Sequence, residues 1–362
     1  MAISYERDLA FDLLQKARAG ERLTYDEGVT LYRHSELLEL GEAANERCDQ
    51  LHPKRYVTFV VDSNVNHTNV CITNCSFCAF YRPPNHAEAY TREHEQVLTM
   101  IDEMVQQGGT ELLMQGGHNP DLTVEYFEVL FREIKRRYPQ VTIHSLSPSE
   151  IQYIARRSKL SIYDTMLRLR DAGWESFPGG GAEILVDRVR DIIAPLKTKS
   201  QEWLDIMRTA HNLGVHGSTT MMFGHVETLE ERVEHLLKLR DLQDETHGWR
   251  AFICWTFQPG NTELSGREVG SVQYLRTLAF ARLFLDNVPN MQASWLTQGL
   301  KVGQVALSFG ANDLGGTLIE EEVVRSTGVT NKSNAETLIK LIRDTGKTPA
   351  LRNTKYQIMK VF

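Results

Sequence analysis

Three cysteines lie within eight residues of one another, and their spacing is suited to holding a metal. Cys71, Cys75 and Cys78 follow one another at intervals of four and three residues. Thiolates are soft ligands that prefer zinc or iron–sulfur clusters over hard cations. The five cysteines of the chain are an odd number, which is a poor basis for a disulfide framework. The spacing therefore favours a metal site in one tight loop.

Two kinds of metal site fit this loop. A four-iron cluster held by three cysteines leaves one iron open to an outside ligand. That iron can bind the amino and carboxylate groups of S-adenosylmethionine and pass an electron to its sulfonium. A structural zinc site would take His67 or His86 as a fourth ligand. Structural zinc sites usually bring cysteines in pairs from separate segments, so the spacing favours the iron–sulfur interpretation.

The other two cysteines, Cys48 and Cys254, lie in a helical pattern and in a predicted strand, and we expect both to be buried thiols. A single-electron carrier with a fully ligated cluster would need one of them as its fourth ligand. Substitution of both with retention of cluster and activity would exclude that function.

The composition is that of an ordinary globular protein. Of 362 residues, 41% are hydrophobic and 24% are charged. A net charge of −7 argues against a general nucleic-acid or membrane-surface binder. No apolar run approaches the roughly 18–20 residues that span a bilayer, and the first residues do not resemble a secretory signal. We therefore expect a cytoplasmic protein that binds neither nucleic acid nor membrane.

Predicted strands and helices alternate along the chain and must position the cysteine loop. They follow about fifty residues whose apolar side chains recur at helical spacing. The predicted strands are residues 56–61, 111–114, 141–146, 174–177, 217–223, 251–257, 291–295 and 309–313. The predicted helices are residues 93–107, 124–138, 162–172, 202–213, 228–245 and 272–287. This alternation indicates an α/β fold, a closed (β/α)8 barrel with helical N- and C-terminal extensions. We divide it into an N-terminal extension (1–52), the barrel (53–325) and a C-terminal extension (326–362).

Polar and glycine-rich segments follow most of the predicted strands. They are residues 66–78, 115–119, 147, 179–183, 224–227 and 258–261. In a (β/α)8 barrel the loops after the strands all lie on one face, where active sites are built. We therefore expect these segments to surround one site together with the cysteine loop.

The pattern Cys71-x-x-x-Cys75-x-Phe77-Cys78 resembles the signature of radical S-adenosylmethionine enzymes. Further segments, in conserved order along the chain, resemble the cyclic dehypoxanthinyl futalosine synthase family of the futalosine route to menaquinone. They are residues 77–84, 115–121, 178–185, 221–228, 257–262, 292–295 and 310–313. The similarity extends from about residue 50 to residue 325. The cysteine motif identifies only the superfamily, whereas the collinear segments identify the family.

The resemblance implies roles for particular residues. Cys71, Cys75 and Cys78 would bind three irons of a [4Fe-4S] cluster. The residues expected at S-adenosylmethionine are Phe77, Phe80, Gln115, Gly116, Gly117, Ser147, Glu183 and Gly224. His118 stands where the superfamily commonly has a glutamate, so the usual carboxylate contact to the amino group is not assumed. Glu183 could instead neutralise a helix N-terminus, and the glycine runs could be ordinary strand-to-helix turns.

The implied reaction is a radical cyclisation of dehypoxanthine futalosine. A 5′-deoxyadenosyl radical would abstract hydrogen from the ribose C4′, and the carbon radical would add to the benzoate ring before an electron and a proton leave. Candidates for the base are His225, Glu227 and Asp313. His225 could also be a hydrogen-bonded structural histidine. Arg82 is the candidate for binding the benzoate, because a guanidinium fork matches a carboxylate.

The resemblance also implies a small-molecule substrate and an electron donor such as a flavodoxin or ferredoxin, and it leaves a homodimer open. An aminofutalosine synthase-type enzyme is one alternative, since it shares the cysteine spacing. The continuation at residues 81–84 resembles the cyclase more closely. A non-catalytic, zinc-stabilised binding protein is the other alternative, and anaerobic reconstitution with iron and sulfide would distinguish it.

Overall fold

The computed structural model describes residues 2–362, with side chains from Glu6 onward, and Met1 lies outside the described residues. Three helices come first: α1 (Ala2–Arg18), α2 (Tyr25–His34) and α3 (Leu37–Leu51). A capping box begins α2, in which Thr24 Oγ1 accepts the N–H of Glu27 and the Glu27 carboxylate accepts the N–H of Thr24. The helical N-terminal extension predicted from apolar spacing is therefore present.

The described residues form a sheet of eleven strands. The strands are β1 (Tyr56–Val60), β2 (Asp62–Asn64), β3 (Glu111–Met114), β4 (Thr142–Ser145), β5 (Trp174–Phe177), β6 (His216–Phe223), β7 (Trp249–Thr256), β8 (Asn290–Gln292), β9 (Asp313–Gly316), β10 (Thr348–Arg352) and β11 (Ile358–Val361). From β2 to β9 each strand pairs in parallel with the next one along the chain.

The sheet closes on itself because β1 and β2 are one strand position, interrupted only at Val61. Strand β2 pairs with β3, and β1 pairs with β9. The segment after β9 continues this pairing, since Thr317 N donates to Val60 O at 3.1 Å and Ile319 N to Asp62 O at 3.1 Å. Eight parallel strand positions thus form a closed barrel, which confirms the predicted fold class.

Helices surround the barrel, and the short helix after β8 lines part of its interior. They are α4 (His94–Gln106), α5 (Val124–Arg137), α6 (Pro148–Ser158), α7 (Ile162–Asp171), α8 (Asp187–Ile193), α9 (Ser200–Asn212), α10 (Leu229–Thr246), α11 (Ser271–Phe284), α12 (Trp295–Gln298), α13 (Leu300–Ala306) and α14 (Ala335–Arg343). Helix α5 shows why they pack there: Phe127, Phe131 and Ile134 recur at intervals of four and three residues and are buried. The N-terminal helix α3 packs against α11.

Two regions differ in detail from the sequence-based expectation. The eighth barrel strand begins at Asp313 rather than at residue 309, because the chain turns after α13 with Gly310 at φ +95°. The chain after residue 325 contains α14 and, in addition, the strands β10 and β11. Strand β10 pairs in parallel with β1, from Tyr56 opposite Thr348 to Phe59 opposite Leu351. This segment therefore lies against the amino-terminal end of the barrel strands.

Candidate active site

A cavity runs along the barrel interior from the loops after the strands toward β10. At the carboxyl ends of the strands it is lined by Gln115, Glu183 and Glu321. At the opposite end it is lined by Arg250 and Tyr356, among others. Barrel interiors are normally filled by branched apolar side chains, so polar residues along this cavity indicate a binding site.

The three cysteines lie in the loop between β2 and α4, at the carboxyl-terminal mouth of the barrel. Cys71 and Cys75 are buried and Cys78 is half-buried. The N–H of His118 donates to Cys71 Sγ at 3.3 Å, and Cys75 Sγ donates to Thr73 Oγ1 at 3.4 Å. Burial raises the pKa of the Cys78 thiol, while backbone N–H groups of the same loop donate to its sulfur and oppose that rise. Sulfurs that receive N–H donors fit the thiolate ligands of an iron–sulfur cluster.

A mononuclear zinc site does not fit the same loop. Within residues 2–362, no three His, Cys, Asp or Glu side chains converge as ligands of a single ion. A cluster makes no such demand, because each thiolate ligates a different iron. His67 is buried with its ring edge-on to Phe127 at 5.1 Å, and burial lowers its pKa to about 3. His86 is exposed, and its Nδ1 accepts the N–H of Glu88 at 3.1 Å.

The glycines after β3 allow the backbone to lie directly against the cysteine loop. A Cβ at Gly117 would stand 2.2 Å from Val70 O and 2.6 Å from Cys71 Cβ, and one at Gly116 would stand 2.5 Å from the His67 ring. His118 follows, stacked on Tyr153 at 4.8 Å, and its buried Nε2 has no hydrogen-bond partner among the described residues. This close approach and the unpartnered nitrogen fit a polar cofactor bound beside the cluster.

Glu183 lies at the cavity between two cations. Lys197 Nζ is 2.9 Å from Glu183 Oε1, and Arg190 Nη1 is 3.4 Å from Oε2. Burial alone would raise the pKa of Glu183, but the two cations hold it below its usual range. Lys197 also lies over the Phe77 ring, 5.4 Å from its centroid, and a Cβ at Gly181 would stand 3.7 Å from both Lys197 Nζ and Ser147 Oγ. These residues of four loops form one polar wall near the cysteines.

The other residues predicted at the cofactor have varied surroundings. Phe80 is buried beneath the cysteine loop. Gln115 lines the cavity, and a Cβ at Gly180 would stand 2.2 Å from its Nε2. Gly224 has φ +94°, and a Cβ there would stand 2.0 Å from Val269 Cγ2. Gly224 thus packs against the loop before α11, and it is absent from the described lining of the cavity.

The predicted base residues lie outside the lining of the cavity as far as the structure describes it. His225 Nε2 is 3.0 Å from Met222 O, and its Nδ1 accepts the N–H of Val226 at 2.8 Å, so both nitrogens have backbone partners. Glu227 binds Arg232 at 2.7 Å. Asp313 is fully buried and binds Arg352. These arrangements are those of hydrogen-bonded structural groups.

Arg82 also lies away from the cavity. Its Nε donates to Glu88 Oε2 at 2.7 Å, and its Nη1 donates to the carbonyls of Ala79 and Tyr81 at 3.0 and 2.9 Å. The guanidinium therefore stabilises the cysteine loop itself. Its surroundings do not favour the predicted contact with a substrate carboxylate.

Three residues at the site, Glu150, Lys197 and Arg250, are absent from the sequence-based prediction. Glu150 bridges two loops, since its Oε1 accepts the N–H of Gly116 at 3.0 Å and its Oε2 that of Ser147 at 2.7 Å. The pattern Ser147-x-x-Glu150 is a capping box and could have predicted α6. Lys197 and Arg250 carry no comparable local pattern, because only the folded chain brings Lys197 to Glu183 and Arg250 to the cavity.

Comparison with known families agrees with this geometry. Residues 65–239 match the model of the radical SAM superfamily, and residues 246–362 match that of the CofH/MqnC C-terminal region. The FeFe-hydrogenase maturase HydG from Carboxydothermus hydrogenoformans has the same fold, with a TM-score of 0.77 over 96% of this chain and 80% of that one at 17% identity. The protein is a radical S-adenosylmethionine enzyme, a class whose cofactors are a [4Fe-4S] cluster and S-adenosylmethionine.

Full-length relatives narrow the class. Cyclic dehypoxanthine futalosine synthases of Halalkalibacterium halodurans and Streptomyces coelicolor are each 46% identical, covering 97% and 95% of this chain and 95% and 88% of those proteins. An aminodeoxyfutalosine synthase of Thermus thermophilus is 36% identical over 97% of this chain and 96% of its own length. The chain belongs to the cyclic dehypoxanthine futalosine synthase family. Within residues 2–362, no helix has the length and apolar character needed to cross a membrane.

Proposed function

We propose that this enzyme cyclises dehypoxanthine futalosine to cyclic dehypoxanthinyl futalosine in menaquinone biosynthesis. The observation that carries the proposal is the 46% identity to two synthases of that name over nearly the whole chain. When held by this chain, the cluster and S-adenosylmethionine would supply a 5′-deoxyadenosyl radical able to abstract hydrogen from the ribose C4′. The same proposal includes an electron donor such as a flavodoxin or ferredoxin, a cytoplasmic location and a homodimer. It also includes the division of the chain into an N-terminal extension, a barrel and a C-terminal extension.

In this proposal the chain's own residues hold the cofactors and keep water away. Cys71, Cys75 and Cys78 ligate the cluster. Glu183 and Lys197, with Ser147 and Gln115 nearby, hold S-adenosylmethionine at the mouth of the cavity. The polar wall at residues 180–183 and the lining at residues 318–324 enclose it. Positioning of this kind is the main contribution of a protein whose cofactor performs the difficult bond cleavage.

The proton released after ring closure needs an acceptor. Of the acidic side chains, Asp62, Glu111 and Glu321 line the cavity together with Glu183. His225, Glu227 and Asp313 stay predictions, but the four carboxylates that line the cavity are better placed to receive this proton.

Turnover with a labelled substrate tests the proposed function. The reconstituted enzyme, reduced anaerobically, is incubated with S-adenosylmethionine and dehypoxanthine futalosine carrying deuterium at C4′. The expected product lacks two hydrogens of the substrate, and the deuterium appears in 5′-deoxyadenosine. Covalent transfer of the adenosyl group to an enolpyruvyl benzoate, without cyclisation, would instead identify an aminofutalosine synthase-type activity.

A further inference from the structure

Arg250, on β7, lies in the cavity at the end opposite the cysteine loop. It is half-buried, and the only hydrogen bond of its side chain to the described residues runs from Nη1 to Ser176 Oγ at 3.1 Å. It forms no ion pair with any acidic side chain that the structure describes. A guanidinium has five N–H donors, so most of the donors of Arg250 are available to a ligand in the cavity.

Three other enclosed arginines bind carboxylates, whereas Arg240 and Arg282 are bound by several carbonyl and amide oxygens of the chain. Arg352, which also lines the cavity, binds Asp313 at 2.6 Å and lies 3.6 Å from Glu111. Arg190 binds Glu183 and the carbonyl of Ala182, and Arg232 binds Glu227. An enclosed guanidinium is stabilised by an anion or by several acceptor oxygens, and among the described residues only Ser176 Oγ lies within hydrogen-bond distance of the Arg250 guanidinium. Burial lowers the pKa of Arg250, and the more distant carboxylates of Glu111 and Glu175 oppose that effect.

The orientation of Arg250 is fixed by a hydrogen-bond network. Ser176 Oγ donates to His216 O at 3.0 Å, so it accepts from Arg250. His144 Nδ1 lies 2.7 Å from the same oxygen and therefore donates to it. Burial lowers the pKa of His144 to about 4, so its ring is neutral at physiological pH and does not compete for an anion. Ser176 Oγ thus orients one N–H donor of the guanidinium, and the remaining donors have no partner among the described residues.

The position of Arg250 suits one end of an elongated ligand. From Arg250 to the mouth-side end of β7 at Thr256 the strand extends roughly 20 Å, or about 16 Å along the axis of a barrel with tilted strands. In the proposed function, S-adenosylmethionine would bind in the half of the cavity near the cysteines. A substrate that presents its ribose to that cofactor extends its remaining parts toward Arg250.

We propose that Arg250 binds the benzoate carboxylate of the substrate through its guanidinium fork, with Ser176 as the positioning residue that holds the fork toward the cavity. This inference rests on the proposed function, which supplies the aryl carboxylate. A planar guanidinium matches a carboxylate in a bidentate arrangement, and such charge-assisted pairs discriminate strongly against neutral analogues. Arg250 thereby replaces Arg82 as the expected carboxylate ligand.

The test compares substrate binding in variants of the holoenzyme. Arg250→Gln is expected to raise the Kd of dehypoxanthine futalosine by about 10- to 100-fold. The carboxamide analogue is expected to bind wild type and Arg250→Gln equally weakly, and Arg250→Lys and Ser176→Ala to give intermediate losses. Iron content and circular dichroism report whether each variant is folded. Arg132→Gln, at an exposed position on α5, is the matched control.

A second measurement separates this inference from the proposed function. Ligand-observed NMR with benzoate and benzamide needs no turnover, and benzoate is expected to bind wild type but not Arg250→Gln. If wild type binds benzoate in this way yet does not cyclise dehypoxanthine futalosine, the carboxylate site stands and the proposed function fails. Unchanged substrate Kd in Arg250→Gln, equal binding of acid and amide by wild type, or a selective loss only in Arg82→Gln would each overturn the inference.

Discussion

Arg352 donates two hydrogen bonds to the carboxylate of Asp313, from Nε to Oδ2 at 2.6 Å and from Nη2 to Oδ1 at 3.1 Å. Both side chains are buried. Thr58 of β1 donates to the same carboxylate, so β1, β9 and β10 meet at one ion pair. The pair joins the segment after the barrel to the first and last barrel strands, at the end of the cavity opposite the cysteines.

Loss of this pair is expected to destabilise the protein strongly. Arg352→Met leaves Asp313 buried without its cation, which costs about 3–5 kcal/mol of unfolding free energy. Asp313→Asn in the same background removes the buried charge and should recover part of that loss. Denaturant unfolding measures both, and Lys340→Met, which breaks an exposed pair on α14, should change stability by less than about 1 kcal/mol. Equal effects of Arg352→Met and Lys340→Met would contradict this prediction.

Only the three clustered cysteines are expected to affect the iron–sulfur cluster. Alanine at Cys71, Cys75 or Cys78 should abolish the visible absorption and the bound iron, because each thiolate holds one iron. Cys48 contacts the Ala311 carbonyl at 3.9 Å, and Cys254 is buried within β7. Their double substitution to alanine should retain the cluster and the cleavage of S-adenosylmethionine. A loss of cluster in that double variant would revive the fully ligated electron carrier.

Gly117→Ala is expected to disturb cluster assembly without a change in charge or polarity. The new Cβ would stand 2.2 Å from Val70 O, so the cysteine loop would have to move. We expect fewer irons per chain after reconstitution. Gly270→Ala is the matched control, since a Cβ there meets nothing within 4 Å. Normal iron content in Gly117→Ala would show that the close approach of β3 to the loop is dispensable.

Glu183→Gln is expected to weaken the binding of S-adenosylmethionine. The substitution leaves Lys197 and Arg190 without their carboxylate and removes a charged acceptor from the cavity wall. A rise of about 10- to 100-fold in the Kd of S-adenosylmethionine would follow, measured by equilibrium binding to the cluster-loaded protein. Glu175→Gln, which affects a pair with Lys135 outside the cavity lining, should leave this Kd unchanged. An unaltered Kd in Glu183→Gln would assign Glu183 a purely structural role.

Acid lability is expected from histidines that are buried in the neutral form. Burial lowers the pKa of His235 to about 3, while its ring holds the Leu185 N–H at 3.0 Å and the Thr220 carbonyl at 3.1 Å. The unfolded chain takes up this proton near pH 6.5, so the stability is complete above that pH and is lost as the pH falls toward 3.

The measurement compares unfolding midpoints at pH 7 and pH 5. From these midpoints, the unfolding free energy of wild type should fall by about 2 kcal/mol more than that of His235→Gln between pH 7 and pH 5. His86→Gln, at an exposed ring, should follow wild type. If His235→Gln shows the same acid dependence as wild type, the buried ring is not the source of the lability.

Much of the fold could be predicted because its signals are local. The strands β3 and β5 were placed to the residue, since each apolar run ends at glycines that the next loop requires. The convergence of the strand-end loops followed from the topology of a barrel. Helix α6 is absent from the sequence-based prediction, although the capping box of Ser147 and Glu150 marks its start.

The site was less accessible to sequence reasoning, because its contacts are tertiary. Arg82 was favoured since it lies next to the cysteines in the chain, but its guanidinium turns back onto carbonyls of its own loop. Arg250 carries no motif and reaches the cavity only through the inward face of β7. Conversely, His225 and Asp313 lie in or after barrel strands, where catalytic residues are expected. Their side chains, however, form hydrogen bonds to Met222 O and to Arg352.

The parallel pairing of β10 with β1 has a consequence for biosynthesis. Strand β1 leaves the ribosome early, whereas its partner at residues 348–352 emerges only after all eight barrel positions have been made. Until then the carboxylate of Asp313 has no counter-ion and one side of β1 stays open. The nascent barrel therefore lacks this covering strand until residues 348–352 have emerged, and cluster insertion before that point would load a protein without its buried ion pair.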